Sequence, residues 1–437
     1  MKTRSARDKY ALYFSSIRYL EGLGNITGGY QKKNLSSHPH PEMFLRRMRD
    51  FLDLLGNPEN GFKYVHITGT AGKGSVATAV HSELLRAGKR AGLFTSPFTV
   101  STIEKIQVGE KYIDPLVFAR ITDEIKPQVD IMIKSGRYGP PSYFEMILAI
   151  ALIYFRKERC EYVILEAGLG GRYDATNVIK SPLVTAVTNI GPDHTNILGK
   201  KMSDIARDKS GIIKKKSKFF TAEEDKGMRK IFLKACEEAG AEYHSVDVKG
   251  LDYLARNSFL VGNICGALGI AGSLKEAMSK APSLPARFEV VRKRPFIIID
   301  GAHNPSKMKS TVYNLMKMKY ERLFLVIAIS RDKDWKNMMR IVSPHADEIY
   351  VTRFSVPGRQ SVDPKILLKG AIKYCGKTCK VHLFSDPVEA FGAAKGKLSE
   401  KDALLVTGSF YLAGDIRSLY CPEIRILEER NPSVGKI

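Results

Sequence analysis

A glycine-rich segment in the first quarter of the chain has the residues needed to bind nucleotide phosphates. It reads Tyr64-Val65-His66-Ile67-Thr68-Gly69-Thr70-Ala71-Gly72-Lys73-Gly74-Ser75, an apolar strand that runs into a turn and the start of a helix. Glycines let backbone N–H groups surround an anion, and the helix N-terminus adds partial positive charge. Lys73 can reach the outer phosphates, and the Ser75 hydroxyl can ligate Mg²⁺. The predicted phosphate-binding residues are Thr70, Gly72, Lys73, Gly74 and Ser75.

The spacing of this segment differs from that of the common P-loop. The common pattern has a glycine five residues before the Gly-Lys pair, where this chain has the apolar Ile67. The turn is therefore shorter, and so short a turn is typical of few ATP-using families.

Four further polar clusters are predicted at strand ends or helix starts. They are Leu165–Asn177, Thr188–Thr195, Ile205–Ile212 and Asp300–Pro305. Because open α/β sheets bind ligands at the carboxyl ends of their strands, we expect these clusters and the phosphate segment to converge on one cleft.

Apolar runs alternating with amphipathic segments predict the elements that carry these clusters. In the first series these are a helix over Glu42–Leu55, a strand over Lys63–Thr68, a helix ending near Arg86, a strand over Ala91–Thr95, helices over Pro115–Lys134 and Tyr143–Phe155, strands over Tyr162–Leu165 and Leu183–Thr188, and a helix over Asn263–Ser279. Near-continuous apolar strands separated by helices indicate a parallel sheet covered on both faces. The stretch Gly22–Pro41 is predicted to be a loop.

A second alternating series follows the proline-containing stretch Lys280–Pro285, which is predicted to be a linker. It begins with a strand over Phe296–Ile299 and ends with one over Ala403–Thr407, so a Rossmann-like sheet of about five or six strands is expected. The predicted fold class is α/β: an N-terminal P-loop-containing parallel-sheet ATPase domain over residues 1–284 and a smaller C-terminal Rossmann-like α/β domain over residues 285–437.

Composition narrows the class of protein. The 437 residues are 44% hydrophobic and 26% charged, which suits two or three globular domains. No apolar run approaches the roughly 20 residues of a membrane-spanning helix, and the basic start Met1–Asp8 has no apolar stretch after it. The six scattered cysteines indicate reduced thiols. A soluble cytoplasmic protein without a membrane partner is expected.

The net charge of +23 admits nucleic acid, an acidic membrane surface or anionic small molecules as partners. The basic runs Lys214–Lys216 and Arg292–Arg294 are short, lack interleaved aromatic residues and flank apolar strands. They are therefore predicted to be solvated turns, and nucleic acid is the less favoured partner.

Taken together, these motifs resemble the Mur ligase superfamily, and within it folylpolyglutamate synthase and the bifunctional dihydrofolate synthase/folylpolyglutamate synthase. The resemblance extends from Leu55-Gly56-Asn57-Pro58 to Thr407-Gly408-Ser409-Phe410-Tyr411. The folate assignment rests on Thr95-Ser96-Pro97, on the block from Glu166 to Asn177, and on Asp300-Gly301-Ala302-His303-Asn304-Pro305.

The resemblance implies an ATP-dependent amide ligase that adds L-glutamate to a folate-type carboxylate, either tetrahydrofolate, dihydropteroate or both. The carboxylate takes the γ-phosphate to form an acyl phosphate, which the amino group of glutamate attacks with release of phosphate. Such chemistry needs positioning and charge neutralisation more than a protein nucleophile. The family also implies one or two Mg²⁺ ions, a carbamylated lysine, a monovalent cation and a monomeric enzyme.

The same resemblance gives roles to individual residues. The metal ligands would be Ser75, Glu145, His194 and a carbamylated Lys209, and the catalytic groups would be Lys73, Lys209, His194 and Arg287. The nucleotide would be contacted by Asn263 at the adenine, by Arg287 at the γ-phosphate, by Asp300 at the ribose and by His303. The substrate would be contacted by Thr95, Ser96, Pro97 and Phe98. For four of these residues a role outside the active site stays open. Glu145 could be an exposed helix carboxylate, His194 a structural histidine, Lys209 a surface lysine and Asn263 a helix N-cap. Both domains would contribute to one ATP site, so that closure assembles the catalyst.

Three departures from the family concern the substrate. Phe98 stands where the family often has histidine, the stretch Tyr243–Asn263 is shorter than expected, and Gly22–Pro41 is longer.

Two other functions also stay open. A Mur-type ligase for a cell-wall precursor would need a uridine-nucleotide-binding domain before the phosphate segment, where only about 62 residues precede the first strand. A nucleic-acid-associated NTPase would explain the charge but leaves Glu145, His194, Lys209 and Asp300 without a role.

Overall fold

The computed structural model describes residues 7–26, 41–270, 278, 281–282, 284–354, 356 and 359–431. It divides into two compact units, one of residues 1–98 and 102–282, the other of residues 99–101 and 283–437. Both are α/β, as the sequence predicts. No described helix has the length and apolar character to cross a membrane.

The first unit is built on an eight-stranded sheet with the order β4-β3-β2-β5-β1-β6-β7-β8. Its strands are β1 (Lys63–Thr68), β2 (Ala91–Phe94), β3 (Ile106–Val108), β4 (Lys111–Tyr112), β5 (Tyr162–Glu166), β6 (Val184–Val187), β7 (Lys218–Thr221) and β8 (Glu242–Ser245). All pairings are parallel except those of the β3–β4 hairpin, which joins β2 in antiparallel fashion. The central strands β1, β5 and β6 are buried almost throughout, which explains their apolar runs.

Helices cover both faces of this sheet. They are α1 (Ala11–Ile26), α2 (Glu42–Leu54), α3 (Lys73–Arg86), α4 (Pro115–Ser135), α5 (Tyr143–Lys157), α6 (Thr195–Leu198), α7 (Met202–Ser210), α8 (Lys226–Ala239) and α9 (Tyr253–Ala267). Side chains cap several of them: Asp114 accepts from the Leu116 N–H at 2.8 Å, and Ser142 and Glu145 form a capping box on α5.

The structure corrects several predicted boundaries in this unit. Residues 22–26 of the expected loop belong to helix α1, and residues 27–40 lie outside the described residues. The last helix begins at Tyr253, capped by Asp252, so it starts ten residues before the predicted Asn263. Residues 271–277 and 279 of the predicted helix are also outside the described part. The short strands β3, β4, β7 and β8 were missed because they lack long apolar runs.

The second unit is a six-stranded sheet with the order β13-β12-β11-β14-β10-β9, in which only β9 is antiparallel. The strands are β9 (Glu289–Lys293), β10 (Phe296–Ile299), β11 (Leu323–Ile327), β12 (Glu348–Val351), β13 (Lys380–Leu383) and β14 (Ala403–Thr407). The helices are α10 (Pro305–Met316), α11 (Trp335–Val342), α12 (Pro364–Tyr374), α13 (Pro387–Lys395), α14 (Phe410–Arg417) and α15 (Glu423–Glu429). The predicted Rossmann-like sheet of about five or six strands is thereby confirmed, and β9 is the strand that the sequence did not predict.

The two basic runs lie at turns, broadly as predicted. Lys214–Lys216 lies just before β7, and Lys216 has a positive φ of 63°. Arg292 and Lys293 end strand β9, and Arg294 begins the turn to β10. Neither run forms a helix face on which a nucleic-acid backbone could lie.

Candidate active site

The phosphate segment forms a tight turn between β1 and α3. Gly72 has the left-handed φ of 81° and precedes the first residue of the helix, Lys73. Gly69 has a φ of 149°, and a Cβ on it would lie 1.9 Å from the Thr188 hydroxyl oxygen. A side chain at position 69 would therefore force this turn away from the end of β6.

Residues that follow β6 hold the turn in place. The Thr70 N–H donates to the Asn189 carbonyl at 3.0 Å, and the Ala71 N–H donates to the Asn189 side-chain oxygen at 2.9 Å. The Thr188 hydroxyl donates to the Ala71 carbonyl at 2.6 Å. The Thr70 hydroxyl exchanges hydrogen bonds with the backbone of Gly191 at 3.0 Å. These contacts fix the shape of the turn before any ligand binds.

Two lysines from distant parts of the chain meet at this turn. The ammonium groups of Lys73 and Lys209 both donate to the Gly69 carbonyl, each at 3.0 Å. Lys209 lies on α7 and is only 4% exposed, which contradicts the reading of it as a surface lysine. The structure thus brings together two of the predicted catalytic residues.

Burial is the main reason that the pKa of Lys209 is lowered from its ordinary value to about 7, and the positive charge of Lys73 adds to this effect. The carboxylates of Asp208, Asp193 and Asp174 act in the opposite direction. A substantial fraction of Lys209 is therefore an uncharged amine near neutral pH. Only that form can react with CO₂ to give a carbamate.

Close packing allows α7 to bring Lys209 to the turn. Gly170 has a φ of 66°, and a Cβ there would lie 2.2 Å from an oxygen of Asp208. The Thr68 hydroxyl donates to the Gly170 carbonyl at 2.5 Å. The glycine turn after β5 therefore lies against both α7 and the end of β1.

A buried polar chain supports this glycine turn. His66 in β1 is 2.8 Å from the Thr176 hydroxyl, which donates to Asp174 at 2.5 Å. Asp174 also accepts from the Leu169 N–H at 2.8 Å. Burial raises the pKa of Asp174 and lowers that of His66 to about 3, so the imidazole is neutral. These residues position the turn.

Glu145 has the contacts of a structural residue. Its carboxylate forms a buried ion pair with Arg47, with the Arg47 Nε 2.9 Å from Oε2, and both side chains are 4% exposed. The same oxygen accepts from the Ser142 N–H at 2.6 Å as part of the capping box. Glu145, which the resemblance gives as a metal ligand, thus has its carboxylate paired with Arg47 and bonded to the start of α5. It is also not an exposed carboxylate, which was the alternative role for it.

Glu166 is the carboxylate at the end of a strand next to the phosphate turn. It is the last residue of β5, which pairs with β1, and it lies opposite Ile67 in the register. It is 3% exposed, and its Oε2 accepts from the Ser96 N–H at 2.9 Å. Sequence reasoning placed Glu166 in a strand-end cluster without giving it a role. The sequence did contain a signal for a role in the site, because Glu166 is an acidic residue that ends an otherwise apolar strand just before a glycine turn.

His194 follows β6 and precedes α6 with a left-handed φ of 49°. Its Nε2 is 3.8 Å from Asp193 Oδ1, and its side chain is 29% exposed. The charge of Asp193 acts on Lys209, which places this loop near the lysine pair. Within the described residues no group of three or more His, Cys, Asp or Glu side chains could hold a metal ion by itself. A hard cation here would need oxygen ligands from Ser75, phosphates or water as well.

The predicted substrate segment follows the C-terminal end of β2, at the same end of the parallel strands as the phosphate turn. Thr95 is buried, Ser96 contacts Glu166 as described, Pro97 is exposed and Phe98 is half-buried. The ring of Phe98 lies 5.2 Å from the ammonium of Lys105. Asn263 lies inside α9 with its amide donating to the Phe259 carbonyl at 2.8 Å, so it is not a helix N-cap.

In the second unit two of the remaining predicted residues, Arg287 and His303, lie against the ring of Phe410. The Arg287 guanidinium lies 4.0 Å from the ring centroid, and the His303 ring lies 5.4 Å from it. His303 Nδ1 is 2.9 Å from the Gly301 carbonyl, and its Nε2 is 3.1 Å from the Lys307 ammonium. An ammonium cannot accept a hydrogen bond, so Nε2 is the acceptor and Nδ1 carries the proton.

Asp300 is buried in the same unit and holds its own loop. Its two oxygens accept from the Phe288 N–H at 2.6 Å, the Ala302 N–H at 2.8 Å and the Thr311 hydroxyl at 2.9 Å. Burial raises the pKa of Asp300, and these donors oppose that shift. The carboxylate therefore orders the start of the Asp-Gly-Ala-His-Asn-Pro segment.

A short glycine turn at the end of a central parallel strand, two lysines on one carbonyl and a strand-end carboxylate define a P-loop-type nucleotide-binding α/β protein. Comparison with known proteins specifies the class. Residues 67–261 match the Mur ligase middle domain, and residues 286–410 match the Mur ligase, glutamate ligase domain.

The dihydrofolate synthase/folylpolyglutamate synthase of Bacillus subtilis (strain 168) is 30% identical over 414 residues, covering 85% of this chain and 94% of the relative. The chain belongs to this folylpolyglutamate synthase/dihydrofolate synthase family of Mur ligases.

Solved structures of two members share the fold. The Mycobacterium tuberculosis folylpolyglutamate synthase, complexed with ADP and AMPPCP, has a TM-score of 0.78 at 26% identity and covers 86% of this chain and 95% of its own. The Thermotoga maritima folylpolyglutamate synthase has a TM-score of 0.76 at 28% identity and covers 95% and 99%.

Proposed function

We propose that this protein is an ATP-dependent ligase that joins L-glutamate to a folate-type carboxylate through an acyl phosphate. The observation that carries the proposal is the meeting of Lys73 and Lys209 on the Gly69 carbonyl, inside a turn whose backbone is already ordered. Family membership supports the choice of glutamate and of a folate acceptor. The Bacillus subtilis relative is named for both synthase activities, and the Thermotoga maritima relative is named a folylpolyglutamate synthase.

The reaction has two steps. An oxygen of the acceptor carboxylate attacks the γ-phosphorus of ATP, and ADP leaves; the glutamate nitrogen then attacks the acyl carbon, and phosphate leaves. Lys73 offsets negative charge on the transferring phosphoryl group, and the ordered turn fixes the nucleotide relative to the acceptor. The buried surroundings of Lys209 strengthen these electrostatic effects, since little water competes there.

The hydroxyl of Ser75 at the start of α3 and the carboxylate of Glu166 at the end of β5 are oxygen donors of the kind that Mg²⁺ prefers. We propose Ser75, Glu166 and His194 as the side chains that hold it, with Glu166 in place of Glu145. When bound, Mg²⁺ would neutralise phosphate charge and is expected to keep several oxygen ligands from phosphate and water. A second Mg²⁺, a monovalent cation and a carbamate on Lys209 remain part of the proposal. The low pKa of Lys209 favours the carbamate chemically.

The other assignments are retained as proposals. Thr70, Gly72, Gly74 and Asn263 would contact the nucleotide, although the Thr70 hydroxyl is already used by Gly191. Thr95, Ser96, Pro97 and Phe98 would contact the acceptor. Arg287, Asp300 and His303 would also contact the nucleotide, and a domain boundary between residues 284 and 285 is proposed. A monomer acting on small molecules is expected.

Phosphate release tests the function directly. The assay contains ATP, Mg²⁺ and glutamate, with dihydropteroate, tetrahydrofolate or no acceptor. Phosphate release that requires both glutamate and one of the folate acceptors, with formation of the glutamylated product, is the expected result. Hydrolysis stimulated by nucleic acid and independent of glutamate would refute the proposal, and so would activity confined to a cell-wall precursor.

A further inference from the structure

Lys105 is a buried lysine that has no anionic partner in the described part of the chain. It ends the 3-10 turn Thr102–Lys105 and is 6% exposed. Among the described residues, no hydrogen bond or ion pair reaches its ammonium group. The three other cations of comparable burial all have partners: Arg47 and Arg417 each pair with a glutamate, and Lys209 donates to the Gly69 carbonyl. Burying an ammonium is unfavourable unless an anion compensates its charge.

Aromatic rings are the only groups that compensate this charge in the described structure. The ammonium lies 4.7 Å from the Tyr143 ring and 5.2 Å from the Phe98 ring. The Tyr143 hydroxyl is 2.8 Å from the Thr102 hydroxyl, which fixes the ring. Cation–π contacts offset only part of the cost of burying an ammonium, so the charge remains under-compensated. The site is therefore suited to a ligand that brings a carboxylate.

Lys105 also lies at the end of the parallel strands that carries the phosphate turn. Its carbonyl accepts from the Thr95 N–H at 3.0 Å, and the neighbouring Ser96 N–H donates to Glu166. Strand β2 is separated from β1 by β5 alone. Neighbouring strands are about 4.8 Å apart, so the ends of β2 and β1 are roughly 10 Å apart. Lys105 and the phosphate turn therefore lie at the same end of the sheet, two strands apart.

We propose that Lys105, flanked by Phe98 and Tyr143, binds the non-reacting carboxylate of an acceptor that already ends in glutamate. This inference rests on the proposed function and specifies its acceptor. Dihydropteroate has one carboxylate, which must react, whereas tetrahydrofolate ends in a glutamate with two, of which only one reacts. Lys105 therefore favours folates that already carry glutamate over dihydropteroate.

The test compares kcat/KM for the two acceptors in the Lys105→Met variant. Losing a charge-assisted hydrogen bond of about 1.5–3 kcal/mol predicts a loss of roughly 10–150-fold with tetrahydrofolate. The loss with dihydropteroate should be smaller by at least about tenfold, so the preference between the acceptors shifts. The Lys105→Arg variant keeps the charge and should recover part of the preference.

Lys63→Met is a matched control. The Lys63 ammonium also lies over a ring, 5.2 Å from that of Tyr162, but it is exposed and paired with Glu161 at 2.7 Å. Lys63 is at the start of β1, the opposite end of the strand from the phosphate turn. The ratio of kcat/KM between the two acceptors should not shift in this variant.

Binding measurements provide a readout independent of turnover. Burial lowers the pKa of Lys105 to about 8, and Tyr143 is the titratable group packed against its ammonium. The affinity of the wild-type protein for tetrahydrofolate, measured by calorimetry, should therefore fall as the pH rises above 8. The Lys105→Met variant should lack this fall. It should also unfold at the same or a higher temperature without ligand, because an uncompensated buried charge has been removed.

Each other outcome has a defined meaning. Equal losses with both acceptors, or a rise confined to the KM of glutamate, would overturn the assignment of Lys105 to the acceptor. Wild-type activity with dihydropteroate alone would overturn it too, while leaving the ligase function intact. Failure of the wild-type protein to use either acceptor would instead refute the proposed function.

Discussion

The contrasting roles of Glu145 and Glu166 give the sharpest test of the site. Glu145 pairs with Arg47, whose side chain is 4% exposed, so Glu145→Gln leaves a buried guanidinium without its carboxylate. Removing one partner of such a pair costs about 3–5 kcal/mol. The expected result is a large loss of unfolding free energy, while the Mg²⁺ concentration for half-maximal activity stays that of the wild type.

Glu166→Gln should have the opposite profile. A glutamine oxygen can still accept from the Ser96 N–H, so the fold should be nearly as stable as the wild type. Loss of the negative charge should lower kcat/KM by about 10²–10³-fold, the size typical of removing one charge-stabilising group from an active site. It should also raise the Mg²⁺ concentration needed for half-maximal activity.

The assays are urea denaturation followed by circular dichroism, and phosphate release over a Mg²⁺ titration. Glu289→Gln is a matched control, because Glu289 forms an equally buried pair with Arg417, at 2.8 Å, in the second unit. It should lose stability like Glu145→Gln without a change in metal dependence. If Glu145→Gln does not fold, the double variant Arg47→Met/Glu145→Met replaces the pair by apolar groups and should fold.

A Glu145→Gln protein with normal stability and a raised Mg²⁺ requirement would refute this reasoning. So would a Glu166→Gln protein whose Mg²⁺ titration and kcat/KM match those of the wild type. The first result would return the metal-ligand role to Glu145, and the second would remove it from Glu166.

Four further predictions concern the phosphate turn. Because the pKa of Lys209 is lowered to about 7 in the folded state, its destabilising charge is fully present below pH 7 and is lost as the pH rises towards the unfolded value of 10.5. The wild-type unfolding free energy should therefore rise by about 1.4 kcal/mol per pH unit more than that of Lys209→Met between pH 7 and 9, and parallel curves would contradict this. Lys209→Ala should be inactive, and short-chain carboxylates should restore activity if a carbamate is the active form; full activity of the unsupplemented variant would exclude a role. Gly69→Ala should place a Cβ against Thr188 and weaken ADP binding, measured by calorimetry, by about 5–150-fold, from 1–3 kcal/mol of strain, whereas wild-type affinity would show that the turn can shift. Asn189→Ala removes the acceptor of the Ala71 N–H and should raise the KM for ATP by about 5–150-fold, from a loss of 1–3 kcal/mol, with an unchanged KM contradicting the prediction.

The amino-acid sequence alone determined the class of fold and the phosphate turn. Buried parallel strands must be apolar along their whole length, and a backbone anion site needs glycines at fixed spacing, so both leave marks within short segments. The second sheet and the turn at Gly69–Ser75 were predictable for that reason. The strands β3, β4, β7 and β8 were not, because they are short or near an edge of the sheet.

Tertiary structure alone decided which polar groups serve the turn. Lys209 is 140 residues from Gly69, and only the packing of α7 against the glycine turn brings its ammonium to that carbonyl. Glu145 and Glu166 are both acids beside apolar residues. The difference between them lies in their neighbours, a buried Arg47 for one and the end of β1 for the other. Hydrogen bonds and ion pairs of this kind depend on distance in space, which short sequence patterns do not encode.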